Sequence, residues 1–103
     1  MNYDKQAELM DRIFKEVLSI RDAGQKEYAR STDDVHANFK RVGNWTDTDP
    51  KKVMLTYLIK HIDGICSYVN GHKSQREDVR GRITDTIVYL CLLWGYIDEE
   101  EEK

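Results

Sequence analysis

The chain has 103 residues, 40 % of them hydrophobic and 34 % charged, which fits one folded domain with a modest core. No apolar run reaches the ~18 residues of a membrane span, and the polar, charged start does not read as a secretory leader. The formal net charge of −3 is set by the acids at 98–102; without residues 98–103, fifteen Lys and Arg face fourteen Asp and Glu, a net of +1. Such a body lacks the broad basic surface of duplex DNA binders.

Leu9, Met10, Ile13, Phe14, Val17, Leu18 and Ile20 recur at the helical period and predict a long amphipathic helix from Asp4 to about Ala29. Its apolar stripe is wide enough to face other helices or a second subunit. Ser31 or Thr32 is placed to cap a short second helix from about Asp33 to Val42, with Val35, Phe39 and Val42 on its buried side. His36 falls on another face and reads as a surface histidine. Asn38 beside Phe39 offers an amide and a ring to a base. Gly43 reads as the end of this helix, followed by a polar loop in which Trp45 either tucks onto the core, the expectation favoured here, or stacks on a flat ligand.

Asp49-Pro50 is a helix start, an N-cap followed by proline at the first helical position, and the third helix runs to about Val69. Lys60, Asp63 and Gly64 interrupt its apolar face. Lys60 and Asp63 share a face, as a structural ion pair or as part of a polar site. Gly64 fits a close helix crossing or the approach of a ligand, since a mid-helix glycine costs ~1 kcal/mol relative to alanine. Asn70-Gly71 reads as the helix stop, and Gly71 to Ser74 as a tight turn that makes the flanking helices antiparallel neighbours.

The last helix is predicted from Gln75 to about Ile97, with Ser74 and Glu77 in capping-box spacing. Arg76, Arg80 and Arg82 crowd its first two turns, where the helix dipole is already positive, so an anion should face them. Asp78 and Asp85 can supply that charge, or a bound phosphate can. Gly81, between two arginines, leaves room for a backbone or a phosphate. The helix is apolar around much of its circumference, which predicts a subunit interface as well as a core. Cys66 and Cys91 lie in apolar patterns and read as buried reduced thiols, so a cytoplasmic location is expected. Residues 1–97 read as one helical domain and 98–103 as a solvated acidic tail.

Catalytic motifs are missing from the linear pattern. There is no Gly-rich phosphate loop, no paired-cysteine motif and no His-Glu-x-x-His. The expected inward acids of the third and fourth helices are only Asp63 and Asp85, a poor magnesium site, so neither a metal ligand nor a cofactor is assigned and catalysis is not supported.

The series Lys26-Glu27-Tyr28-Ala29, Asn38-Phe39-x-Arg41-Val42, Lys60-His61-x-Asp63 and Arg82-x-x-Asp85-x-x-x-Tyr89 resembles small phage proteins of the MazG-like, nucleotide-modification-associated kind, over roughly residues 25 to 97. The resemblance implies an all-α, about four-helix MazG-like oligomer, whose enzymatic relatives bind a nucleoside triphosphate through magnesium held by acidic helix motifs. Those acidic pairs are missing here, and Lys60 stands where a metal-dependent site would favour an acid, which implies binding without hydrolysis. The segment Asn70 to Arg82, including Lys73, is similar to phage sponges that sequester the cyclic nucleotide signals of anti-phage immunity such as CBASS. By that likeness Arg76, Arg80 and Arg82 hold phosphates and Tyr28, Phe39 or Trp45 stack on bases, with Lys60, Asp63, Asp85, Asn38 and Lys73 completing the ligand-binding set. The implied partners are a cyclic dinucleotide or another nucleotide and further copies of the chain as a dimer or tetramer, with no duplex nucleic acid and no membrane. The alternatives are a magnesium-dependent MazG-like nucleotide pyrophosphatase and a helical protein-interaction module.

Overall fold

In a computed structural model, the described residues, 1–28, 33–73 and 76–102, form four helices and no strand. They are α1 (Tyr3–Tyr28), α2 (Ala37–Thr46), α3 (Pro50–Val69) and α4 (Val79–Glu101). None of them is long and apolar enough to cross a membrane.

The third helix begins and ends on local chemistry. The Asp49 carboxylate accepts the Lys51 N–H at 2.9 Å, and Pro50 occupies a position that needs no amide proton. At the other end Asn70 is the C-cap, and Gly71 turns the chain out of the helix at φ +92°, a conformation that suits glycine. The fourth helix packs on the third in antiparallel register. Lys51 meets Glu100, Tyr57 meets Tyr89, His61 meets Asp85, and Gly64 lies under Arg82, so one residue number rises as the other falls.

The core forms where the two other helices reach this hairpin. Phe39 of α2 and Val17 of α1 are buried with Val53 and Met54 of α3 and Val88 and Leu92 of α4. Burying such side chains contributes roughly 1.5–3 kcal/mol each. Phe39, Tyr57 and Tyr89 form a ring triangle with centroids about 6 Å apart, a favourable tilted arrangement.

Several sequence expectations are corrected by these contacts. His36 is not on the surface: it is 1 % exposed, its Nε2 donates to the Leu92 carbonyl at 2.8 Å, and its ring meets Tyr96 edge-on. The second helix starts at Ala37 rather than Asp33, because Asp34 accepts the His36 N–H and holds the preceding residues in a turn. The proposed caps Ser31 and Thr32 lie outside the described residues. Gly43 does not end α2. The helix continues through Thr46 to a left-handed Asp47, and Gly43 is buried where a side chain would meet the Thr48 carbonyl. Trp45, expected against the core, is 73 % exposed, and Val35 is also exposed.

Cys66 and Cys91 are free thiols on the exposed surface rather than buried ones. Of the apolar stripe of α1, Val17 is buried and Ile13 and Ile20 pack on the core, while Met10, Phe14 and Leu18 face outward. The last helix starts at Val79, later than the predicted Gln75, because Asp78 is its N-cap and accepts the Arg80 N–H at 2.8 Å. Ser74, the proposed cap, lies outside the described residues, and the inter-helix connection is longer than the tight turn expected. The acids from Asp98 to Glu101 belong to α4 and are exposed along it.

Candidate functional site

Two adjoining clefts open on the Gly64 end of the α3–α4 hairpin, and Lys60 and Glu77 line both. The first, of about 650 Å³, is lined by the cations Lys60, Lys73, Arg80 and Arg82 and by the acids Asp63, Glu77 and Asp78. The second, of about 490 Å³, runs between α1 and the hairpin and is lined by Tyr28, Asn38, Phe39, His61, Asp85 and Tyr89 with Arg21 and Lys60.

Gly64 and Arg82 shape the first cleft together. A Cβ on residue 64 would stand 2.5 Å from the Arg82 side chain, so the glycine is the space in which the guanidinium lies. Arg82 is held there by Glu77, with Nη2 3.4 Å from the carboxylate, and its side chain is 18 % exposed. The glycine therefore makes room for a side chain of the chain itself. Gly81 has open space around it. The Arg80 side chain is 82 % exposed and lies 3.5 Å from the Asp78 carboxylate. Among the described residues no ion pair joins Lys60 to Asp63, and Asp63 is exposed rather than inward.

The second cleft holds the polar groups that the linear reading did not bring together. His61 on α3, Glu77 in the connection and Asp85 on α4 each place one polar atom within 4.8 Å of the others. The His61 ring stacks on Tyr89 at 5.6 Å, and its buried Nδ1 has no hydrogen-bond partner among the described residues. Asp85 Oδ2 is 3.9 Å from that nitrogen, beyond hydrogen-bonding reach. Burial raises the Asp85 carboxyl above its ordinary range and Glu77 adds to the effect, against the opposing pull of His61 and Arg82. Burial likewise raises the Tyr89 hydroxyl, helped by Asp85.

Of the eleven residues singled out from sequence, Lys60, Asp63, Lys73, Arg80 and Arg82 line the first cleft, and Tyr28, Asn38, Phe39, Lys60 and Asp85 the second. Phe39 is 3 % exposed and contributes mainly to the core. Arg76 precedes α4 and Trp45 lies at the end of α2, and neither lines a cleft. His61, Glu77, Tyr89 and Arg21 also line the second cleft and were not singled out from sequence. Their signal was spatial: His61 follows Lys60 directly in α3 but shows its role only against Asp85 and Glu77, and Glu77 reads as a cap until α4 is seen to begin after it.

Chemically, the pair of clefts offers cations at one end and aromatic faces with an amide at the other. No family model matches the chain, and neither a curated protein nor a solved structure does.

Proposed function

We propose that this chain is a non-catalytic nucleotide-binding protein, which sequesters a cyclic dinucleotide or a related phosphate-bearing signal. The observation that carries the reading is the union of the two clefts across Lys60 and Glu77. Phosphate oxygens suit the side lined by Lys60, Lys73, Arg80 and Arg82, because charge-assisted hydrogen bonds to arginine and lysine are the strong ones. A base suits the side lined by Tyr28, His61 and Tyr89, with the Asn38 amide available to its edge. The identity of the signal rests on the likeness of residues 70–82 to anti-defence sponges. A homo-oligomer is part of the same reading, supported by the outward apolar residues Leu55, Ile59 and Ile62 of α3 and Leu90, Trp94 and Ile97 of α4.

The test is a thermal-shift screen of the chain against cyclic dinucleotides, cyclic trinucleotides, ADP-ribose derivatives and nucleoside triphosphates. Any stabilising ligand is then recovered from heat-denatured protein and chromatographed. The expected result is stabilisation with the ligand recovered intact, and a loss of about tenfold or more in affinity for Lys60→Ala and for Arg80→Ala with unchanged helicity. Recovery of cleaved ligand overturns the non-catalytic reading, and silence across the panel overturns nucleotide binding.

A further inference from the structure

The geometry points to His61, Glu77 and Asp85 as a binding site for a divalent first-row transition cation of the Mn²⁺ or Zn²⁺ class, on the wall of the second cleft. Three donors from α3, from the connection and from α4 converge although 24 positions separate the first from the last in the chain. Their polar atoms lie within 4.8 Å of one another, against the roughly 3.5 Å expected around a bound ion. Glu77 lies outside helical structure and Asp85 sits on the facing helix, so binding an ion would draw the two carboxylates closer, with Glu77 turning from its contact with Arg82.

A second observation is independent of the clustering. The Nδ1 of His61 is buried, and no described residue bonds to it. An orphaned buried nitrogen costs about 1–3 kcal/mol, and a cation accepting its lone pair removes that cost. Tyr89, stacked on the ring, holds the plane of the imidazole in which this nitrogen lies. The same ion would compensate two carboxylates held close in a half-buried place, of which Arg82 reaches one.

The donor set decides between ions. Magnesium prefers oxygen ligands and keeps its waters, whereas imidazole suits the first-row transition ions. One nitrogen and two carboxylates also leave coordination positions open, and these would face the cleft lined by Lys60 and Arg21.

This inference is tested with no nucleotide present, so it stands or falls apart from the sequestration reading. The full chain, stripped with chelator, is titrated with Mn²⁺ by calorimetry and by loss of the free-ion electron paramagnetic resonance signal. The expected result is one ion per chain, weaker binding of Mg²⁺, and affinity reduced about tenfold or more in His61→Gln and in Asp85→Asn. Both variants are near-isosteric, and circular dichroism verifies that each stays helical. Failure of the folded parent to take up Mn²⁺ overturns the site, and so does undiminished uptake by both variants. Nucleotide affinity measured in EDTA reads the sequestration proposal separately.

Discussion

Where α3 begins, its hairpin with α4 is closed by matched chemistry: Lys51 lies 2.7 Å from Glu100 and 3.4 Å from Asp49, and its ammonium stands over the Tyr96 ring. Where α3 ends, the polar groups are crowded and poorly matched: His61 has an orphaned nitrogen, Asp85 is desolvated beside Glu77, and Arg82 fills the space a side chain at 64 would need. Two histidines show the difference. Both are shielded from solvent and each leaves its Nδ1 unbonded, but His36 donates its Nε2 proton to the Leu92 carbonyl and thereby ties the start of α2 to α4. His61 stacks on Tyr89 at the wall of a cleft. One end of the hairpin is closed by matched pairs and the other tolerates polar cost.

Two glycines offer the sharpest way to break that comparison. Gly43→Ala sets a methyl 2.6 Å from the Thr48 carbonyl, a backbone atom that cannot step aside. A loss of about 2 kcal/mol is expected, read as a fall in Tm of about 10 °C. Gly64→Ala meets only a flexible side chain, and alanine favours the helix, so Tm should stay near that of the parent. On the proposed sequestration reading, its effect should fall on the cleft instead, as weaker nucleotide binding once Arg82 is displaced. A large drop in Tm for Gly64→Ala would make that end structural and erase the contrast.

The smallest effect is electrostatic. The folded state raises the Asp85 carboxyl, so it holds the proton more tightly than the unfolded chain does. The stability linked to that proton is fully present below the unfolded value of about 4 and is lost as pH rises through the raised folded one. Asp85→Asn escapes the loss. The variant should melt slightly above the parent at neutral pH, and the gap should close below about pH 4. A variant less stable than the parent at neutral pH would identify Asp85 as a structural partner of His61.

What could be read ahead of the structure follows from the range of the forces involved. The bounds of α3 rest on Asp49-Pro50 and Asn70-Gly71, contacts within a few residues, and these are written locally. The antiparallel pairing of α3 with α4 follows from the same stop signal. His36 could not be placed, because its burial is decided by a carbonyl 56 residues away. Glu77 was hidden for a related reason: a glutamate three residues after a serine fits a cap, and only the competing cap at Asp78 moves it into the cleft. Tyr28, Asn38, Lys60 and Asp85 stood out because polar or aromatic residues beside apolar stripes are conspicuous, and they line a cleft; Trp45 and Arg76 were conspicuous for the same reason and line neither.

The exposure of both tryptophans has an optical consequence. Trp45 and Trp94 are 73 % and 72 % exposed, at the end of α2 and on the outer face of α4 beside Leu90 and Ile97. Neither indole touches the core cluster, so the intrinsic emission of a lone chain is that of hydrated indole even when the fold is intact. A blue shift on raising the protein concentration therefore reports that the outer surface has been covered, and a shift that appears only with ligand reports a change transmitted outward from the clefts.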